Sequence, residues 1–334
     1  APISSFQSFL SGQDHLASPF KNNRFACAQT FLGAISGMST LTIGTPATHT
    51  NTGTVATIAG GRDNTVSGNC GIVGGGCGND VTAVNGVIGG GHDNTVSATC
   101  GSILGGKSNT ASSGDATVGG GAGNTASACG AVVAGGCSNT TSGSFSYSVG
   151  RENTTSGDCS TIAGGLGNTV TGDSATIAGG KTNQARGDYS SLVGGLSSCA
   201  IGKASFVGGG TCNCVTGLSA FAGGGHINKV TGAASSIVGG STNTVSGSGA
   251  FIGGGSGNSA TQKESFVGGG TSNTGGAACA VVGGGENNTA DGKYSIVGGG
   301  KQNNAAALNS VALGGESNTV MGNCSVIVGG KSHT

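Results

Sequence analysis

Among the 334 residues of this chain, the clearest candidates for chemistry are three aspartates, Asp158, Asp173 and Asp188, which recur at a regular 15-residue spacing. If each 15-residue segment advances by one inter-strand spacing, their Cα atoms stack about 5 Å apart. Carboxylates that close raise one another's pKa or recruit a cation. Arg186 and Lys203 lie near enough in sequence to balance them. The stack is therefore a weak candidate cation site, and at its sharpest a carboxylate pair for glycoside hydrolysis. The plainer reading makes all three turn residues that follow a glycine. No histidine or fourth acid gathers beside them.

The 12 cysteines are the second set. Cys70, Cys100, Cys159, Cys279 and Cys324 occupy one position of the 15-residue spacing but never on adjacent segments, which disfavours bridges within that column. Cys199 and Cys214 share another position on adjacent segments, about 5 Å apart, where a bridge is geometrically open. Most cysteines are expected to be small buried hydrophobes, with interchain bridges open wherever their column faces a partner. His15, His49, His92, His226 and His333 scatter without metal-ligand spacing, and "GGGHDN" lacks the strand, GxxxxGK[ST] and helix of a phosphate loop. No catalytic residue, metal site or cofactor is assigned. Asn139, Asn153, Asn287 and Asn323 begin N-glycosylation sequons, relevant only to a chain that passes through a eukaryotic secretory pathway.

The elements that carry these residues are unusual. Glycine supplies 74 residues, charged residues 8% and aromatics 4%, and tryptophan is absent, too few large apolar groups for an ordinary layered enzyme core. The net charge of zero removes the field that nucleic acid or an anionic membrane would need. No apolar run approaches the roughly 20 residues of a membrane span, so neither nucleic acid nor a bilayer is an expected partner. The start at Ala1, without a basic-then-apolar leader, reads as a mature terminus.

The chain repeats itself. Counting from the Asn after each glycine pair, 19 anchors run from Asn64 to His333, with Ser198 replacing Asn once. Every step keeps the 15-residue spacing except the one from Asn139 to Asn153, which is shorter by a single residue. Six residues before the anchor stands an aliphatic residue (Ile58, Val73, Ile162), two after it a small apolar one (Val66, Val81, Val170), and glycines fill the third and fourth places before it. Two short strands and two glycine-bearing turns fit this period, whereas glycine at each interior helix position would cost about 1 kcal/mol. The expected fold is all-β, a parallel β-solenoid or β-roll of about 19 coils with a 15-residue repeat. At about 4.8 Å per coil it would form a rod of roughly 90 Å. The glycines are expected at tight corners, and the Asn either at a left-handed corner or in a stacked amide ladder.

Alternation along a strand turns the residue seven before the anchor outward when its neighbour faces in. From Phe206 this column is mostly large and apolar: Phe206, Phe221, Phe251, Phe266, Val281, Ile296, Val311 and Val326. Burying each such side chain contributes about 1.5 to 3 kcal/mol, so this column is the expected interface between copies of the chain, a parallel trimer being the simplest arrangement. The opposite face carries hydroxyl pairs such as Thr65 with Ser67 and Thr95 with Ser97 and is expected to be solvated.

Residues 1–42 lack the period and hold Phe6, Phe9, Phe20, Phe25 and Phe31. They read as a capping or attachment segment for the open end of the solenoid, which occupies 43–334 with a degenerate first coil at 43–53.

The lines "SFVGGGTCNCVTG", "SIVGGSTNTVSG" and "NSVALGGESNTVMG" resemble the head repeats of YadA-type trimeric autotransporter adhesins and the glycine-rich repeats of phage and large-virus fibre proteins. The resemblance covers about residues 54–334. It implies a left-handed β-roll, association of three chains and a spike that binds host surfaces. The expected function is thus non-enzymatic: a spike, fibre or filament subunit at a cell or virion surface, partnered by itself and by a host-surface receptor or glycan. The alternatives are an ice-binding solenoid using Thr-x-Ser/Thr ladders and a polysaccharide-processing β-helix enzyme.

Overall fold

A computed structural model describes residues 40–42 and 49–334. The described residues belong to one unit, Ser39–Thr334. The attachment candidates Phe6, Phe9, Phe20, Phe25 and Phe31 lie outside the described residues. Strand pairing begins slightly before the expected boundary, because Thr40–Thr42 already pairs in parallel with Ala56–Ile58.

This unit is an all-β parallel solenoid of about 19 turns. Its strands form two ladders, sheet A with 20 strands from Thr40–Thr42 to Val326–Ile327 and sheet B with 19 from Thr50–Asn51 to Thr319–Val320. Most strands are very short, and each pairs with its counterpart in the next repeat, as Ile162 with Ile177 and Val170 with Ala185. A third ladder of single-residue parallel bridges, from Arg62–Cys77 to Glu316–Lys331, runs along the corner between them. The backbone amides are satisfied from coil to coil, as Thr65 N–H donates to Asn79 O and Thr57 N–H to Gly71 O, so two-residue strands suffice.

The interior is fuller than the repeat pattern suggests. Besides the aliphatic column of Ile58, Ile88 and Ile177 and the smaller column of Val66, Val96 and Ala185, most coils bury a small residue eight before the anchor, such as Ala116 or Ser190, and the anchor Asn itself. The Asn is not the left-handed residue. Positive φ falls one residue earlier, at Ser108 (54°), Thr182 (53°) and Ile227 (53°), and again six after the anchor, at Cys70 (56°) and Tyr189 (59°). From inside, Asn79 donates through Nδ2 to Gly75 O and Gly91 O, 3.0 Å each, while its Oδ1 accepts from Asn94 N–H at 3.1 Å. The amide ladder is therefore the correct reading of the repeated Asn.

The two paired glycines differ in how strictly the backbone requires them, the one four before the anchor having positive φ on only some coils, such as Gly120 and Gly209. The glycine three before the anchor, from Gly61 to Gly330, has positive φ, and a Cβ there would overlap the carbonyl oxygen of its counterpart in the next coil wherever such a coil follows. The glycine four before it, as at Gly60, Gly164 and Gly239, faces open space. In the short coil Val149 takes that place, paired with Gly135.

The one shortened step is absorbed by a bulge between Val133 and Gly135. It puts Ser148 in the aliphatic column, where its hydroxyl lies 2.6 Å from that of buried Thr141. Thr155 is buried alongside them, its Oγ1 without a hydrogen-bond partner. These hydroxyls divide the apolar core into one cluster ending at Val133 and another starting at Ile162. Thr155→Val is expected to stabilise the chain by about 1 kcal/mol, since it removes an unpaired buried hydroxyl at constant shape. A rise in the urea midpoint would show it, and a fall would mean the hydroxyl is paired.

Candidate interaction face

The outer face of sheet A is built from two columns, the residues seven and five before each anchor, which project on the same side of a strand. Their sizes compensate. From Phe206 to Ile296 the second is glycine wherever the first is large, as Phe206 with Gly208, Phe221 with Gly223, Phe251 with Gly253 and Phe266 with Gly268, and Ile72 with Gly74 does the same, whereas Val311 with Leu313 and Val326 with Val328 are both large. Where the first is serine the second is a large aliphatic: Ser102 with Leu104, Ser191 with Val193, Ser236 with Val238. Leu104 (66% exposed), Val193 (53%) and Val238 (52%) are open to solvent, so on these coils the swap keeps a large apolar group on the surface rather than in the core.

Glycine is needed beside phenylalanine because the ring lies down. A Cβ on Gly223 would stand 3.3 Å from Phe221 Cε1, and one on Gly268 would stand 3.5 Å from Phe266 Cε1. The rings stack along the ladder, Phe206 on Phe221 at 5.2 Å and 4°, Phe251 on Phe266 at 5.3 Å and 10°. Ser236 interrupts this series, and Val238 of the same coil fills the place. Phe221, Phe266, Ile296 and Val326 are exposed, while Phe206, Phe251, Val281 and Val311 are partly covered. The second column was missed at the sequence level, although the pairing of Ser102 with Leu104 and Ser236 with Val238 was there to find.

The structure brings the three aspartates together, each accepting a backbone N–H. Asp158 Oδ1 accepts Ser144 N–H at 2.7 Å, Asp173 Oδ1 accepts Asp158 N–H at 2.9 Å, and Asp188 Oδ1 accepts Asp173 N–H at 3.2 Å. Each carboxylate serves the coil before it, as Asn69 does for Thr54 N–H. Among the described residues no group of three or more His, Cys, Asp and Glu is placed to hold a metal ion. His92 pairs with its neighbour Asp93 at 2.8 Å, and His49 reaches Gly61 O at 3.1 Å.

The described cysteines are not buried hydrophobes. Cys70, Cys100, Cys159 and Cys324 are exposed, as are Cys129, Cys137 and Cys212, and the remaining described ones are half-buried. The column six after the anchor is a left-handed corner, and its side chains point away from the coil. Cys199 and Cys214 do meet, on adjacent strands of sheet B. Of the sequon asparagines, Asn139 and Asn153 are buried ladder members and closed to modification in the folded chain, whereas Asn287 and Asn323 are exposed.

No helix long and apolar enough to cross a membrane is present among the described residues. The sequence matches no protein-family model and no curated protein.

Proposed function

We propose that this chain is a non-enzymatic structural protein, the subunit of a spike, fibre or filament, which associates with parallel copies of itself through the outer face of sheet A. The observation that supports this reading is the size compensation on that face from Phe206 to Ile296. A solvated surface has no reason to exchange Phe-Gly for Ser-Val coil by coil, whereas a packed neighbour requires a flush apolar surface. Phe206, Phe221, Phe251, Phe266, Val281, Ile296, Val311 and Val326 are the contact residues, and three copies around this column is the arrangement that the likeness to YadA-type head repeats suggests. The resemblance to YadA-type head repeats suits an exposed location at a cell or virion surface, with the hydroxyl face of sheet B free to meet a host receptor or glycan.

The competing readings have less behind them. A polysaccharide-processing enzyme would need carboxylates free to move protons, and Asp158, Asp173 and Asp188 are each engaged by a backbone N–H. An ice-binding face would need an unbroken ladder, and Gln184, Cys199, Cys214 and Lys229 replace threonine on four successive coils.

Sedimentation of the full chain is expected to give a multiple of the monomer mass. Phe221→Asp with Phe266→Asp, which places carboxylates on exposed positions without touching the core, is expected to reduce it to one chain with an unchanged circular dichroism spectrum. A wild-type chain that sediments as a monomer at high micromolar concentration would overturn the reading.

A further inference from the structure

The hydroxyl column of sheet B reads Thr95, Thr110, Thr125, Thr140, Thr154 and Thr169 on six successive coils, then Gln184, Cys199, Cys214 and Lys229, then Thr244. The interruption is a cluster of reactive and charged groups on an otherwise inert surface. Cys199 and Cys214 are register partners, and Lys229 is the register partner of Cys214 on its other side. The Cys199 thiol donates to Cys214 Sγ, with the sulfurs 2.8 Å apart. Both are half-buried and reachable from solvent, with Cys212, Arg186 and Lys229 exposed around them.

We propose that Cys199 and Cys214 form a thiol–disulfide exchange site whose substrate is a low-molecular-weight disulfide of the glutathione class, and whose product is a covalent staple between adjacent coils. Adjacent parallel strands hold their Cα atoms about 5 Å apart, inside the range that a disulfide spans. The groups facing the pair set the order of events. The hydrogen bond from Cys199 and the charge of Lys229 hold the Cys214 thiol down at about 7, against the opposing effect of burial. Cys199 is pushed up, first because it supplies that hydrogen bond, then by burial and the charge of Cys214; Arg186 opposes this and Cys212 adds to it. Cys214 is thus the attacking thiolate and Cys199 the resolving thiol.

The exchange balances without a further reagent. Cys214 thiolate attacks one sulfur of the small disulfide, whose S–S bond breaks and releases one thiolate that takes a proton from solvent. Cys199, deprotonated in turn, attacks Cys214 Sγ, forms the Cys199–Cys214 bond and expels the second small thiol. Two protein thiols lose two electrons, and one disulfide becomes two thiols.

The test uses the full chain at micromolar concentration in buffers of reduced and oxidised glutathione, quenched by alkylation and read by peptide mass spectrometry. The wild type is expected to lose two hydrogens in a Cys199–Cys214 crosslinked peptide. Cys199→Ser is expected to accumulate glutathione on Cys214, and Cys214→Ser to leave Cys199 unmodified over the same time. The rate at Cys214 is expected to be half-maximal near pH 7 and to fall several-fold at that pH in Lys229→Gln. The proposal is overturned if the crosslink forms instead to Cys212, or if no crosslink forms while Cys70 and Cys100 react. It is equally overturned if Lys229→Gln leaves the pH profile unchanged.

Discussion

Gly240→Ala is expected to destabilise the solenoid by about 4 kcal/mol or more, and Gly239→Ala, one residue away, to be neutral or slightly stabilising. Gly240 has φ +89°, where an L side chain is strained, and its Cβ would overlap Gly255 O and sit 2.7 Å from Asn243 Nδ2. The left-handed backbone alone costs about 1–2 kcal/mol. Nor can the overlap be relieved by a rotamer change, because its partner is the backbone of the next coil. The two coils would have to part, weakening the amide ladder on that edge. A Cβ on Gly239 meets nothing within 4 Å, so alanine there only restricts the unfolded chain, a gain of about 0.4–1 kcal/mol. Urea midpoints of the two variants, followed by circular dichroism, check this. Equal losses for both would mean that the corner is looser than described.

Asn243→Ala is expected to have the second large effect, about 4 kcal/mol. The Asn243 side chain is fully buried. Its Nδ2 donates to Gly239 O at 3.1 Å and Gly255 O at 3.0 Å, and its Oδ1 accepts Asn258 N–H at 2.9 Å. Alanine leaves Gly239 O, Gly255 O and the buried Asn258 N–H without this partner, at about 1–3 kcal/mol each before relaxation and less where a half-buried carbonyl meets water. The chain carries the reverse case. Ser198 stands at an anchor position, and its Oγ accepts Asn213 N–H at 3.2 Å; the side chain is too short to reach Gly194 O and Gly210 O as an amide would. Ser198→Asn is therefore expected to stabilise by about 1–2 kcal/mol. Thermal midpoints that moved the same way in Asn243→Ala and Ser198→Asn would contradict the ladder as the source of cohesion.

The residues that announced the fold did so because a solenoid repeats one environment. Ile162, Ile177 and Leu192 meet the same neighbours on successive coils, so similar side chains recur and the period survives substitution of any one coil. The same regularity made the outward column from Phe206 to Val326 legible through alternation. Other features gave no periodic signal. Asn could serve a left-handed corner or an interior ladder, and only the coil closure, which puts positive φ on Ser108, Thr182 and Ile227, assigns it inside. Cys70 and Cys100 look like small hydrophobes by type, yet a left-handed corner turns them out. The spacing of Asp158 and Asp173 showed only that they stack, whereas their acceptance of backbone N–H groups from the coil before is a relation across coils.

What the sequence determined alone was therefore the repeat: its length, and the inward and outward faces of its strands. These depend on neighbours one or two residues away and on a fixed 15-residue step. What only the tertiary structure decided were the relations across coils. The overlap that makes Gly240 obligatory but leaves Gly239 free, the Phe221 ring lying over Gly223, the hydroxyls of Thr141 and Ser148 that divide the core, and the meeting of Cys199 with Cys214 are of this kind. Each is set by how closely one coil seats on the next, and that distance is fixed by backbone hydrogen bonds rather than by the type of any single residue.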